Sequence, residues 1–322
     1  SGRVGLAILL YLELYLCCCE FIILEGDNMA ALVPGFELRL PGLPALSAAK
    51  SWAITAAAVV MPTVWVRDLS LLSYLSAGGV FASVAVVALV LTEGVVPGGP
   101  GFHASTELFR ARGVSTAIGL FSFCYSGHAV FPSLYSSMGA NKKQFDGVLV
   151  VAFSAVLAIY TTMAVGGYLM YGDETESQIT LSLPTNSVCG FAALVLTVIN
   201  PISKYALTMG PVAMAAEELL PPTWSPFWWS AASLGLRSAL VLSTLFVGLG
   251  VPFFDLVMGF IGSFLSQTVS VILPAACALV VLRVELSGTE RALNAAVVLV
   301  GVACACVGTY SSVKGIAQSY SN

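Results

Sequence analysis

Residues 122–138 read SFCYSGHAVFPSLYSSM. They lie inside an apolar segment of about the 20 residues that a helix needs to cross a bilayer. Yet the stretch carries five serines, a thiol at Cys124, an imidazole at His128, Gly127 and Pro132. A plain lipid anchor has no use for these groups. Where Gly and Pro interrupt a span, the freed backbone groups must be satisfied by protein, water or ligand, so a broken polar helix characteristically lines a cavity. The rest of the chain is therefore read as the wall around this break.

Composition sets the class. Of 322 residues, 58% are hydrophobic and 9% charged, against roughly 25% charged in soluble domains. An all-α, polytopic membrane protein follows. The formal charge of -4 and the lack of any basic run leave nothing to attract nucleic acid. Eight cysteines fall in or beside apolar segments without the spacing of a disulfide framework or a zinc site, and read as small polarizable packing residues. With two histidines and no nucleophile constellation, an enzyme is not expected, nor is a metal or a cofactor. The chain begins at Ser1 with apolar sequence almost at once. No signal peptide can be drawn there, and the expectation is a start within a longer protein.

A window of about 19 residues finds about nine candidate spans, near 4–25, 51–67, 69–93, 114–137, 146–171, 187–210, 232–251, 253–284 and 291–313. Their connections are too short for a soluble domain, so residues 1–322 are read as a single membrane domain. Lys and Arg divide almost evenly between the two sides and do not orient the chain. Trp65, Arg67 and Asp68 read as an interfacial anchor and turn.

Within the spans, Glu13 and Glu20 are seven residues apart with Cys17 between them, which sets both acids on one helix face about 10 Å apart. A carboxyl that titrates inside the membrane is a natural proton carrier; the alternative is a hydrogen-bonded bracket between helices. Glu25 and Asp27 are expected to be solvated at the helix exit. Around Tyr125, Ser126 and Gly127, a local unwinding would present backbone N–H and C=O groups to a carboxylate or an ammonium. Phe123 and Tyr125 would supply walls, and His128 a hydrogen bond or a proton. A Pro-kinked packing helix is the competing reading. Asn200, Lys204 and Thr208 form a polar stripe at steps of four; Lys204 pairs with an acid, occupies the place of a coupling cation, or snorkels to the interface. Arg237 is expected to snorkel. Asp255, Gly259, Gly262, Ser266 and Ser270 make a small or polar stripe, suited equally to a wet or moving contact and to static packing.

LYLCCCEFIILEGDNM from Leu14, TVWVRDLSLLSYLSAGG from Thr63, SFCYSGHAVFPSLYSSM from Ser122 and INPISKYALTMGPVAMAAEELLP from Ile199 closely resemble the plant vacuolar-type branch of the amino acid/auxin permease family. The resemblance covers essentially the whole chain. It implies a LeuT-like inverted-repeat bundle and transport of neutral amino acids by alternating access, coupled to H+, at the vacuolar membrane. The first span resembles the family's third helix and SFCYSGH its broken sixth. On that alignment the chain lacks the first two helices and is N-terminally incomplete. Asp255 stands where similar proteins are expected to carry a small residue. The substrate set is then Phe123, Cys124, Tyr125, Ser126, Gly127, His128, Cys17, Asn200 and Ser203, and the proton set Glu13, Glu20, His128 and Lys204. The implied partners are an amino acid and the lipid bilayer. The alternatives are an amino acid sensor that does not transport, and a nonfunctional fragment of a transporter.

Overall fold

A computed structural model describes residues 2–39, 45–66, 69–107, 109–138, 143–176, 178–250 and 254–321. Its helices in chain order are α1 (Gly2–Leu32), α2 (Ala48–Trp65), α3 (Leu69–Val95), α4 (Val114–Cys124), α5 (Phe131–Ser137), α6 (Phe145–Tyr171), α7 (Ile179–Ser182), α8 (Val188–Glu217), α9 (Pro226–Gly250), α10 (Phe254–Phe260), α11 (Leu273–Val281) and α12 (Gly288–Ser321). Among the described residues seven helical stretches are long and apolar enough to cross a membrane. Two expected spans differ. α2 has 18 residues, with Lys50 and Ser51 in its first turn and Pro62 near its end, and this polar content dilutes a short apolar helix. The span near 114–137 is divided into α4 and α5. Large apolar side chains such as Phe246, Val151 and Val281 are 81%, 70% and 77% exposed, the outward surface that a lipid solvent requires.

The chain divides into two compact units. The first is drawn from 1–16, 109–142 and 253–322. In it α4 packs on α10, on α12 and on a π-helical stretch, Ile261–Ser266. A second π-helical stretch, Thr268–Ile272, follows after Gln267 and leads into α11. The expected span 253–284 is thus not one regular helix. Gly259, Gly262 and Gly119 lie where the elements cross, and a methyl group at Gly262 would overlap the Gly119 carbonyl oxygen. Small residues of this kind let backbones approach closely where lipid offers no hydrophobic drive between helices. Asp255 is described by its backbone alone, and Arg67, Asp68 and Pro252 lie outside the described residues.

The second unit is drawn from 17–108 and 143–252. Its core joins α3, α6 and α8 through Val86, Val90, Met170, Leu183 and Ala193. Polar groups are bracketed between helices. The Tyr205 hydroxyl lies 2.6 Å from that of Thr244. Asn28 Nδ2 donates to Leu24 O and to Gln178 Oε1, at 2.8 and 2.7 Å. Trp65, 40% exposed, donates from Nε1 to Ser238 Oγ at 3.1 Å.

Two expectations are corrected in this unit. Glu25 is not solvated: it is 2% exposed, because α1 runs on to Leu32 and keeps the residue inside the helix. Arg237 does not snorkel. It is 4% exposed; α9 starts at Pro226, so Arg237 lies about 16 Å along the helix rather than at its end. Its Nε donates to Glu217 Oε1 at 2.7 Å, Nη2 to Glu217 Oε2 at 3.2 Å and Nη1 to the Val64 carbonyl at 2.6 Å. The Ser233 hydroxyl donates to the same carboxylate. One guanidinium thus ties α2, α8 and α9 together.

Breaking a buried pair from one side leaves an uncompensated charge. Arg237→Met is expected to cost about 3–5 kcal/mol, whereas Arg237→Met combined with Glu217→Leu costs far less. Thermal unfolding of the detergent-solubilised variants checks the difference.

Candidate substrate site

The site belongs to the first unit and is built on the break. α4 ends at Cys124. The Tyr125 amide still reaches the Phe121 carbonyl at 3.2 Å, and the Ser126 amide tightens to the Phe123 carbonyl at 2.9 Å. Gly127 then turns to extended backbone, φ -177°. A short 3-10 turn, His128–Val130, leads into α5. The interruption falls on Tyr125, Ser126 and Gly127, where residues with small or polar side chains meet and the helical ladder has nothing apolar to protect.

What faces the break is an acid. Glu13 is 1% exposed, and its Oε1 accepts from Ser126 Oγ at 2.5 Å and from Ser266 Oγ at 2.7 Å. Its Oε2 is buried without a hydrogen-bond partner. One carboxyl therefore joins α1, the broken helix and the first π-helical stretch, and keeps one oxygen in reserve. Burying an ionised carboxylate with half its acceptor capacity unused is expensive. Oε2 is thus open to a further hydrogen-bond donor.

Next to it, Ser122 Oγ lies 2.6 Å from Gln267 Oε1 and 2.8 Å from the Ile118 carbonyl, two acceptors for its single hydroxyl proton. Gln267 sits between the two π-helical stretches, a form common as single turns at functional sites. His128 is half-buried, its ring 4.7 Å from that of Phe131. Tyr125 stacks on Phe121 with centroids 6.0 Å apart, and Phe123 is half-buried while Cys124 is exposed.

The structure thus brings Glu13 together with Ser126 and places Phe123, Cys124, Tyr125, Gly127 and His128 along the same break. Cys17 is half-buried on α1, one turn beyond Glu13. The remaining candidates belong to the second unit. Glu20 is 3% exposed, and its Oε1 has no hydrogen-bond partner. Asn200 donates to Ser83 Oγ at 2.6 Å, and the Ser203 hydroxyl returns to the Asn200 carbonyl at 2.6 Å. Both residues, with the aliphatic stem of Lys204, pack over Gly79 of α3. They form a bracket between α3 and α8, and Lys204 is half-buried there. Ser122 and Gln267 lie beside the break and were not selected by pattern reading, whereas Ser266 stood in the small or polar stripe of its span. The signal for Gln267 was the run of Ser263, Ser266, Gln267 and Ser270 in an apolar span, which fits packing and a polar lining equally well.

Helices that cross a membrane, one of them stopping part-way at a buried acid, place the chain among polytopic membrane proteins with a polar interior. The family model described as transmembrane amino acid transporter protein matches residues 1–316, and the chain belongs to this family, one of transport proteins rather than enzymes. It is similar to the Arabidopsis thaliana amino acid transporters AVT1C and AVT1B, each 44% identical over 100% and 99% of this chain. It is also 39% identical to amino acid transporter AVT1J of the same plant, over 98% of this chain and 74% of that protein. The chain spans 58% of the length of the first two.

The crossing that holds the π-helical stretch against α4 sets the position of Ser266 and Gln267. Gly262→Ala is expected to destabilise the protein by about 1–3 kcal/mol through overpacking. Gly147→Ala, at an open position, is expected to be neutral or slightly stabilising. Thermal unfolding in detergent distinguishes the two.

Proposed function

We propose that the protein is a secondary carrier for neutral amino acids, working by alternating access and driven by protons, with Glu13 as the coupling group. The observation that carries this reading is the Glu13 carboxyl, held by Ser126 of the broken helix and Ser266 of the π-helical stretch, with Oε2 unpartnered. An ionised Glu13 accepts two hydroxyl protons on one oxygen and has the other open to the ammonium of an amino acid or to a proton. Occupation by either relieves the buried charge. Because a proton and an ammonium compete for that oxygen, the protonation state of Glu13 sets whether the substrate is held. This couples two gradients at a single group.

The aromatic rings of Phe123, Tyr125 and Phe131 and the hydroxyls around them suit a side chain without net charge. His128, at the turn where the helix resumes, carries an imidazole whose chemistry suits passing a proton or bonding the substrate. Amino acids are the substrate class in the names of the similar proteins AVT1C, AVT1B and AVT1J, and the sequence motifs resemble those of the vacuolar-type branch. A vacuolar membrane and H+ as the coupling ion fit that resemblance. No further cofactor is called for.

The test uses full-length protein in vesicles with an imposed pH gradient. Wild type is expected to accumulate L-alanine when the gradient is present. Glu13→Gln should reduce gradient-driven uptake at least about tenfold, because a group that cannot titrate cannot transmit the gradient, and should also weaken exchange of labelled for unlabelled alanine, because an amide offers the ammonium no charge. Gradient-driven uptake that survives Glu13→Gln unchanged would refute the assignment. Ligand binding without any flux in wild type would instead favour a sensor.

A further inference from the structure

A charged cavity lies wholly within the second unit, and the broken helix has no part in it. It has a volume of about 120 Å³, and its walls include Asp27 of α1, Ser47 and Lys50 at the start of α2, and the apolar Ile23, Ala53 and Leu249. Small residues create it. Gly26 rests against Ala49 and Ala53, and Gly248 against Ile23 and the Cys19 carbonyl; these contacts bring α2 and α9 onto α1 and leave the gap beside Asp27.

The polar lining is unspent. Ser47 occupies the N-cap position of α2 but its side chain makes no capping hydrogen bond. Asp27 is half-buried, Lys50 is exposed, and no ion pair joins them across the cavity they share. Surface ions of opposite sign that can close on each other gain a little by doing so. Here the two stand on different helices, α1 and α2, and both line the cavity. A ligand able to use all three groups carries an ammonium for Asp27, a carboxylate for Lys50 and the Ser47 hydroxyl, and a small apolar substituent for the Ile23, Ala53 and Leu249 wall.

We propose that this cavity binds a small zwitterion of the α-amino acid class, as a site separate from the one at Glu13. The inference stands on the cavity alone and does not depend on the coupling role of Glu13. The two charges select for the zwitterion: an amine without a carboxylate leaves Lys50 unused, and a carboxylate without an amine leaves Asp27 facing a like charge.

Calorimetric titration of the full-length protein in lipid nanodiscs with L-alanine tests it, with ethylamine and propionate as half-ligands. One alanine-binding event is expected to weaken about tenfold in Asp27→Asn and in Lys50→Gln, the scale of one charge-assisted hydrogen bond, and to persist in Glu13→Gln. Each half-ligand should bind more weakly than alanine by at least about the same factor. Alanine binding unchanged in both variants, or ethylamine binding as tightly as alanine, would overturn the proposal. A readout that does not depend on those variants folding is the thiol of Ser47→Cys, whose modification by a methanethiosulfonate is followed at that position by peptide mass spectrometry. Saturating alanine should slow it, and an unchanged rate would also overturn the proposal. Flux lost in Glu13→Gln with this protection intact separates the two sites.

Discussion

In hydrocarbon there is no water to satisfy a polar group, so every interruption of a helix and every buried charge must be answered by another part of the protein. The first unit meets this demand at Glu13. The break at Tyr125–Gly127 gives up regular backbone bonding, and the acid on α1 answers the Ser126 hydroxyl exposed by it. The same oxygen takes a second hydroxyl from Ser266, where the helix has widened to π geometry. Two irregular elements therefore share one carboxylate. The irregularity is stable because it is bonded, and chemically open because the other oxygen is not.

The second unit meets the same demand in part by pairing polar groups across helices, while Glu20, Glu25, Gln178 Nε2 and Asn200 Oδ1 keep buried atoms without a partner. Arg237 donates two hydrogen bonds to Glu217 and a third to the Val64 carbonyl, and Ser233 donates to the same carboxylate. Asn28, Gln178 and Thr180 bond among themselves, and Asn200 bonds Ser83 across the α3–α8 contact. A fully answered network fixes helix positions, whereas an unanswered atom marks a place where a ligand or proton can enter. Asn200 is answered on one side only: its Nδ2 bonds Ser83 across the α3–α8 contact and its carbonyl takes the Ser203 hydroxyl, while Oδ1 has no partner. Glu13 likewise keeps Oε2 unanswered.

Much of the fold was legible because transfer energy is local. Twenty apolar residues in succession state a span wherever they occur, and the Gly127 and Pro132 pair stated an interruption that the structure puts at Tyr125–Gly127. Arg237 and Glu25 were misjudged for a shared reason. Their depth depends on where a helix begins or ends, and α9 starts six residues before, and α1 ends seven residues after, the limits that hydropathy marks. Charged and aromatic residues at helix ends lower hydropathy without ending the helix.

The sequence by itself determined an all-helical membrane protein, the position of its broken helix and the presence of acids on the first span, since each is a property of composition or of neighbours in the chain. Only the tertiary structure decided which of those acids meets the break. Ser266 lies 253 residues from Glu13 and Ser126 lies 113 from it, and no local pattern encodes pairings at that range. They arise because glycine contacts such as Gly119 with Gly262 set how closely the helices approach. The distance between helices decides which hydroxyls can reach a carboxylate.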